Sequence, residues 1–187
     1  HGLVDYIAKT YGRQASYVPN GVALTGHGDN AVILSDLGLR PQKYILAVSR
    51  LVRHKGLQHL IKAFKNIKSD HNLVIVGAAA HTDDYVAELK NLAADDARII
   101  FAGEQSGDNL AQLFSQAGLF VQPSESEGLS VALLEAMAYG LPVLVSDIPE
   151  DLEAVGGYGW SFANKDVADL TVKLQQWLDD PKAGQEI

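Results

Sequence analysis

Residues 44–76 read YILAVSRLVRHKGLQHLIKAFKNIKSDHNLVIV. Two short apolar runs, Tyr44–Ser49 and Asn72–Val76, flank the segment Gly56–Ser69, in which apolar residues recur every three or four positions. Continuous apolar runs are typical of strands that are covered on both faces, and the spacing of the middle segment predicts an amphipathic helix. Strand, helix and strand in this order predict a parallel βαβ unit with a right-handed crossover.

The same alternation continues along the chain. Further strands are predicted at Arg98–Ala102, Leu119–Gln122 and Pro142–Ser146, and further helices at Thr82–Ala94, Asp108–Ala117, Val131–Tyr139 and Val167–Leu178. This pattern predicts an α/β fold, a doubly wound, Rossmann-like parallel sheet flanked by helices. Such sheets bind ligands beyond the carboxyl ends of their strands.

Composition excludes several classes of protein. Of the 187 residues, 47% are hydrophobic and 20% are charged, which is ordinary for a globular domain. The net charge of −8 argues against a nucleic-acid partner. The absence of cysteine excludes a disulfide framework, thiolate catalysis and Cys-ligated zinc. The apolar run Leu73–Ala80 is too short to span a membrane, and no signal peptide is visible. Because the first residue is His1 rather than Met, we expect a piece of a longer, cytoplasmic protein.

Two loose motif matches do not predict a site. The segment Gly26–Ala31 (GHGDNA) matches a dinucleotide-binding pattern, but it does not lie between a strand and a helix, so a plain loop is predicted. The segment Gly128–Ala132 (GLSVA) resembles a nucleophile elbow, but that class of hydrolase needs a His after the Ser, and no His follows His81. The six His lack metal-binding spacing, and neither a P-loop nor an Asp-x-Asp motif is present, so no metal site is predicted.

The segment Arg50–Gly56 (RLVRHKG) places four basic side chains between a strand and a helix. A cation at a helix start is unfavourable by about 0.3–1 kcal/mol, because the N-terminus already carries partial positive charge. An anion such as a phosphate in the gap would explain the cations. A solvated basic loop, whose long side chains point away, is the alternative.

The segment Pro123–Ala138 runs from a strand end through a loop into a helix. If this helix starts near Ser130, Glu135 lies about 7–8 Å along its axis, and Glu127 stays in the loop. The backbone N–H groups from Ser130 to Ala132 can bind an anion. Glu135 lies among apolar residues and needs donors, which a vicinal diol would supply. Alternatively, Glu127 caps the helix dipole and Glu135 pairs with a cation.

Both segments are expected at the same edge of the sheet, because each follows a strand and opens into a helix. Arg50 and Lys55 offer charge for a diphosphate, and Glu127 and Glu135 flank the helix start at Ser130. This arrangement matches a sugar nucleotide, with its ribose, diphosphate and sugar.

The ordered motifs resemble those of a known family. The chain is similar to the C-terminal, donor-binding domain of a retaining GT-B glycosyltransferase of the glycosyl transferase group 1 family, and the similarity covers about residues 16–180. The matching segments are Val18–Val22, Arg50-Leu51 with Lys55-Gly56, Leu73–Gly77, Phe101–Gly103, Pro123-Ser124, Glu127-x7-Glu135 and Gly140–Val143. The sequence departs from the family at Ser130, where Gly is common. The fold that the resemblance implies is one lobe of a GT-B enzyme.

The resemblance implies roles for individual residues. Arg50 and Lys55 would bind the donor diphosphate and stabilise the leaving nucleoside diphosphate. Glu127 would contact the transferred sugar, which makes Arg50, Lys55 and Glu127 the catalytic candidates. Glu135 would hold the ribose hydroxyls. The full set implied to bind the donor is Arg50, Lys55, Phe101, Gly103, Ser130, Val131 and Glu135, with Ser130 and Val131 giving backbone N–H groups to phosphate and Phe101 and Gly103 lying near the base.

The resemblance also implies an organisation. Residues 1–40 would form the interdomain connecting region and the first strand of the lobe. Within them, the residues themselves predict a helix at Leu3–Tyr11 and a strand end with a turn at Tyr17–Gly21. Residues 41–180 would form the nucleotide-sugar-binding domain, and 181–187 a tail. The N-terminal, acceptor-binding lobe of the same polypeptide is expected to be missing, so this chain alone would be inactive.

The activity implied is retaining transfer of a hexose-type sugar from a UDP-, GDP- or ADP-sugar to an acceptor, without a cofactor or a metal. Peripheral membrane contact is expected only through the missing lobe. Two alternatives stay open: a lobe of a sugar-nucleotide epimerase with the same architecture, and a non-catalytic α/β interaction module.

Overall fold

A computed structural model of the chain describes residues 2–16, 18, 20–23, 26–28 and 32–181. The strands in this part are β1 (Tyr44–Val48), β2 (Asn72–Val76), β3 (Ile99–Gly103), β4 (Leu119–Gln122), β5 (Val143–Ser146) and β6 (Trp160–Phe162). The helices are α1 (Gly2–Tyr11), α2 (Ile33–Asp36), α3 (Leu57–Lys65), α4 (Asp83–Ala93), α5 (Gly107–Gln116), α6 (Val131–Ala138), α7 (Pro149–Val155) and α8 (Val167–Asp179), and a short 3₁₀ helix covers Arg53–Lys55.

The six strands form a parallel sheet in the order β3-β2-β1-β4-β5-β6. The chain runs outward from β1 to β3 and then returns to place β4 on the other side of β1. The helices that follow β1 and β4, α3 and α6, therefore lie on opposite faces of the sheet, and a crevice forms at the carboxyl ends of these two central strands. The predicted doubly wound, Rossmann-like α/β fold is confirmed.

Helices cover both faces of the sheet. Ile61 of α3 and Leu174 of α8 belong to a buried cluster on one face, and Phe114 of α5 and Leu133 of α6 belong to a cluster on the other. Each of these four side chains is at most 1% exposed. The central strands β1 and β4 are mostly apolar because both of their faces are buried in this way.

The five predicted strands agree with the structure to within one residue at each end. The helix predicted over Gly56–Ser69 ends earlier, at Lys65, although Ile67 beyond its end is still buried in the core. Strand β6 was not predicted because it has only three residues and its central Ser161 is exposed. The short helices α2 and α7 were not predicted either.

The predicted helix at Leu3–Tyr11 corresponds to α1. The strand end expected at Tyr17–Gly21 includes Tyr17 and Pro19, which lie outside the described residues. Of the residues up to position 40 that the structure describes, none lies in a strand, and the first strand in the described part is β1. The division into three regions stays a prediction. No helix in the described stretches has the length and apolar character that a membrane span requires.

Candidate functional site

The loops after β1 and β4 are in direct contact. Gly56 has a φ of +70°, and a Cβ atom at this position would lie 1.7 Å from the carbonyl oxygen of Pro123. The backbone N–H of Glu125 also donates a hydrogen bond of 2.7 Å to the carbonyl of His54. Glycine at position 56 therefore allows two loops to pack against each other. One is the basic segment, Arg50–Gly56, and the other is the acidic segment that begins at Pro123, whose part before α6 is the acidic loop.

An ion pair joins the two loops. The Nζ atom of Lys55 lies 2.5 Å from Oε1 of Glu127, and the hydroxyl of Ser124 donates to the same oxygen at 2.6 Å. The side chains of Lys55 and Glu127 are only 15% and 7% exposed. Because the carboxylate of Glu127 is so little exposed, removal of Lys55 would leave a buried charge with a single hydroxyl donor.

Arg50 and Arg53 have different environments, although both belong to the basic segment. The guanidinium of Arg53 forms an ion pair with Glu88 and lies over the ring of Tyr85. Arg50 is exposed at the rim of a cleft, and its guanidinium has no hydrogen bond or ion pair with any residue that the structure describes. Of these two arginines, Arg50 is the one that remains available to a ligand.

The N-terminus of α6 faces the same cleft. Ser130 is the N-cap residue, and its hydroxyl oxygen accepts a hydrogen bond of 3.3 Å from the backbone N–H of Leu133. The N–H groups of Val131 and Ala132 occupy the first positions of the helix, where no intrahelical acceptor exists. Both residues line the cleft, so unpaired donors and the positive end of the helix dipole meet there.

The cleft has a volume of about 210 Å³ and lies between the carboxyl ends of β1 and β4. It brings together Arg50, Lys55, Glu127, Ser130 and Val131, which the sequence analysis selected from two separate segments. Two cations, one carboxylate and a helix N-terminus in a small open cleft form a site suited to an anion such as a diphosphate.

A buried polar layer, which the sequence analysis missed, lies next to the cleft. Nε2 of Gln122 donates to Oδ1 of Asp151 at 2.6 Å, and the hydroxyl of Ser130 donates to Oε1 of Gln122 at 2.6 Å. The hydroxyl of Ser146 donates to the carbonyl of Ser124 and lies 3.4 Å from Oδ2 of Asp151. Asp151 is only 1% exposed, and burial raises the pKa of its carboxyl to about 7. A glutamine at the end of the apolar strand LFVQ was the one signal for this layer in the sequence.

Glu125 fixes the acidic loop to its surroundings. Its Oε1 atom lies 3.0 Å from Nε2 of both Gln58 and His59, and its Oε2 atom lies 3.0 Å from Nζ of Lys165. Burial raises the pKa of Glu125, but the hydrogen bonds from His59 and Lys165 outweigh this effect, and the pKa lies below its usual value. Glu125 therefore holds the loop in place as a charged group.

Glu135 does not line this cleft. It lies one turn beyond Val131 on α6 and lines a second cavity of about 440 Å³ together with Phe114 and Tyr139. Burial raises the pKa of Glu135, and its carboxylate has no hydrogen bond or ion pair within the described part of the chain. The interpretation that Glu135 pairs with a neighbouring cation is therefore not supported.

Phe101 and Gly103 lie further away, on the edge strand β3, which β2 separates from β1. Neither of them lines the cleft or the second cavity. Among the described residues, no group of three or more His, Asp or Glu is arranged to hold a metal ion.

Comparison with known proteins identifies the family. Residues 34–187 match the model of the family described as glycosyl transferases group 1. The chain belongs to this family. The predicted resemblance to a lobe of a GT-B glycosyltransferase of group 1 is thereby confirmed.

The relatives of this chain include the sulfoquinovosyl transferase SQD2 of Arabidopsis thaliana, which is 32% identical to it over 148 residues. The alpha-maltose-1-phosphate synthase of Mycobacterium tuberculosis is 32% identical over 163 residues. These alignments cover 75% and 83% of this chain, but only 28% and 41% of the relatives. The chain thus spans less than half the length of these two group 1 enzymes.

Solved structures share the fold. The Anabaena protein Alr3699/HepE in complex with UDP and glucose has a TM-score of 0.79 at 24% identity, over 89% of this chain and 48% of that one. A glycosyltransferase from Rickettsia africae has a TM-score of 0.83 at 17% identity, over 95% of this chain and 51% of that one. In each case the present chain matches about half of the length of the solved protein.

Proposed function

We propose that this chain is the C-terminal, donor-binding lobe of a retaining glycosyltransferase and binds the diphosphate of a sugar nucleotide in the cleft between β1 and β4. The observation that carries the proposal is the convergence of four groups from distant segments on this cleft. These groups are the unpaired guanidinium of Arg50, the ammonium of Lys55 and the N–H groups of Val131 and Ala132.

The geometry supports a role in catalysis as well as in binding. When the bond between sugar and phosphate breaks, negative charge grows on the leaving diphosphate. Preorganised cations and backbone donors stabilise such charge most when they are fixed before the reaction. The ion pair with Glu127 fixes Lys55, and the cap by Ser130 fixes the start of α6. Glu127 in turn lies at the cleft, where we assign it the contact with the transferred sugar.

The remaining donor contacts belong to the same proposal. Glu135, one turn further along α6, would bind the ribose hydroxyls, and the backbone around Phe101 and Gly103 would lie near the base. We propose a UDP-, GDP- or ADP-sugar with a hexose-type sugar as the donor, with no further cofactor or metal. The complexes of Alr3699/HepE with UDP and with UDP-glucose support a nucleotide donor.

The acceptor would bind to a second, N-terminal lobe of the same polypeptide. The proposal places the complete enzyme in the cytoplasm, with any membrane contact made through that second lobe. That this chain spans only 28–41% of the two relatives described above supports a missing partner lobe. We therefore expect no sugar transfer by the chain alone. Transfer by the purified chain, measured as release of nucleoside diphosphate from a sugar nucleotide with acceptor sugars present, would contradict this expectation.

Calorimetry tests donor binding directly. Titration of UDP, GDP and ADP into the folded chain should give a saturable heat for at least one of them. The matching nucleoside, which lacks the diphosphate, should bind much more weakly, because it makes none of the contacts with Arg50, Lys55 and α6. A flat trace for all three nucleotides up to several millimolar, from a sample that circular dichroism shows to be folded, would contradict the proposal.

A further inference from the structure

We propose that Asp151 and Gln122 are positioning residues that act through Ser130 to hold the first turn of α6 ready for the donor diphosphate. This inference rests on the proposed function and adds two residues to it. It follows from a directional chain of hydrogen bonds from Asp151 to Gln122 to Ser130 and on to the backbone of α6.

The chain of hydrogen bonds begins at Asp151. Its Oδ1 atom accepts from Nε2 of Gln122 at 2.6 Å, in a location where the side chain is only 1% exposed. A glutamine amide has a donor end and an acceptor end that are nearly equal in shape. Because the acceptor Oδ1 faces one end of this amide, the donor Nε2 turns towards Asp151 and the acceptor Oε1 turns towards Ser130.

Gln122 passes this orientation to Ser130. The hydroxyl hydrogen of Ser130 is directed to Oε1 of Gln122 at 2.6 Å, so the hydroxyl oxygen is free to accept from the backbone N–H of Leu133. The Ser130 cap thereby satisfies one donor of the helix start and leaves the N–H groups of Val131 and Ala132 at the cleft. The orientation of the first turn of α6 depends on this fixed hydroxyl.

Burial of the Asp151 carboxyl costs free energy of folding, and this cost favours a functional reason for an acidic residue at this position. Its carboxyl has no ion pair in the described part of the chain, and only Gln122 and Ser146 lie within hydrogen-bond distance. The charge of Glu127 disfavours the ionised carboxyl and the charge of Lys55 favours it. Packing alone would be served better by an apolar side chain, since a buried polar group stabilises little even when it is hydrogen-bonded.

Two substitutions at position 151 separate orientation from packing. Asp151→Asn keeps an oxygen that can accept from Gln122, and its amide N–H can donate to Ser146, whose own hydroxyl already donates to Ser124. Asp151→Leu keeps the approximate size but removes the acceptor. We expect Asp151→Asn to retain the affinity for UDP, and Asp151→Leu to weaken it about tenfold, which corresponds to about 1.4 kcal/mol.

A control and a double variant exclude a purely structural effect. Tyr44→Phe removes a buried hydroxyl that donates to the carbonyl of Leu113 at the opposite end of β1, so it should lower stability without a change in UDP affinity. Ser130→Ala should weaken UDP binding by itself. Because Asp151 acts through Ser130, adding Asp151→Leu to Ser130→Ala should produce little further loss of affinity. A full additive loss would overturn the inference.

The possible results are distinct. If the folded wild-type chain fails to bind UDP, GDP and ADP, the proposed function is wrong. If the wild-type chain binds and Asp151→Leu binds equally well, the positioning role is wrong while the proposed function stands. If Asp151→Leu does not fold, Gln122→Met breaks the same chain of hydrogen bonds, because it replaces the amide with an unbranched side chain of similar size. Gln122→Met should weaken UDP binding about tenfold, and unchanged affinity in that variant would overturn the inference.

Discussion

The ammonium of Lys55 lies 2.5 Å from the carboxylate of Glu127, although the two residues are seventy-two positions apart in the sequence. They are neighbours because β1 and β4 are adjacent at the centre of the sheet, and each residue lies in the loop after one of these strands. The ion pair thus joins the basic and acidic segments at the place where the fold opens a crevice.

Lys55→Ala should weaken UDP binding by about tenfold or more, because it removes a partly buried cation from the cleft. It should also lower the midpoint of thermal unfolding, since it leaves the carboxylate of Glu127 without its ion pair. The double variant with Glu127→Gln should recover stability but not affinity. Calorimetry and thermal unfolding measure the two effects. Lys62→Ala, at an exposed position of α3, is the matched control. Unchanged UDP affinity in Lys55→Ala would favour the non-catalytic interaction module.

Arg50→Gln should reduce UDP affinity about tenfold without a loss of stability, because the guanidinium has no partner in the described part of the protein but lines the cleft. Arg53→Gln is the matched control, since Arg53 pairs with Glu88 instead. We expect it to change the affinity by less than about twofold. Titrations at low and high salt should show a weaker salt dependence for Arg50→Gln than for the wild-type chain. Equal effects of the two substitutions would contradict this assignment.

Gly56→Ala should destabilise the protein far more than Gly38→Ala. Both glycines have positive φ values, +70° and +64°, so alanine at either position costs about 1–2 kcal/mol of backbone strain. Only at Gly56 would the new Cβ atom also collide with the carbonyl of Pro123, whereas Gly38 has nothing within 4 Å. Urea unfolding of both variants measures the difference. Similar losses would show that the two loops do not pack as closely as the structure indicates.

Asp151 should make stability depend on pH. Its pKa is raised from 3.8 to about 7 by burial, so the folded state binds the proton more tightly than the unfolded state does. The contribution of this carboxyl to stability is therefore fully present below about pH 4 and is lost as the pH rises towards 7. The slope is at most about 1.4 kcal/mol per pH unit for one group. Asparagine does not titrate, so Asp151→Asn should gain stability relative to wild type between pH 5 and pH 8.

Urea unfolding of both proteins at pH 5 and pH 8 measures that gain. Glu150→Gln is a control for the loss of a carboxyl on the same helix, because Glu150 is exposed. A difference in stability between wild type and Asp151→Asn that is the same at both pH values would show that Asp151 does not titrate in this range.

Most of the sheet was predictable because its central strands are short, apolar and covered on both faces, and amphipathic helices separate them. The segments at Arg50 and Glu127 could also be selected from the sequence, since they follow strands and open into helices. Strand β6 could not be predicted, because it has only three residues and its exposed Ser161 breaks the pattern of a buried strand. Local patterns carry little information about elements this short.

The buried chain of hydrogen bonds from Asp151 through Gln122 to Ser130 could not be predicted from the sequence for a different reason. Gln122 and Asp151 come from β4 and α7, and their contact depends on how α7 packs after β5. Nothing in the residues around Asp151 shows that it is buried. Similarly, the spacing of Glu127 and Glu135 did not show that Glu127 lines the cleft while Glu135, one turn along α6, lines a second cavity. Such three-dimensional relationships follow from packing and not from spacing along the chain.

The most direct test of the central claim is the amide spectrum of the ¹⁵N-labelled chain during a titration with UDP. If the diphosphate binds where Arg50, Lys55 and α6 converge, the N–H resonances of Val131 and Ala132 should show the largest shifts, because these groups would donate hydrogen bonds to phosphate. Uridine should not reproduce these shifts. A well-dispersed spectrum in which the resonances of Val131 and Ala132 stay unchanged while UDP saturates the protein would contradict the account.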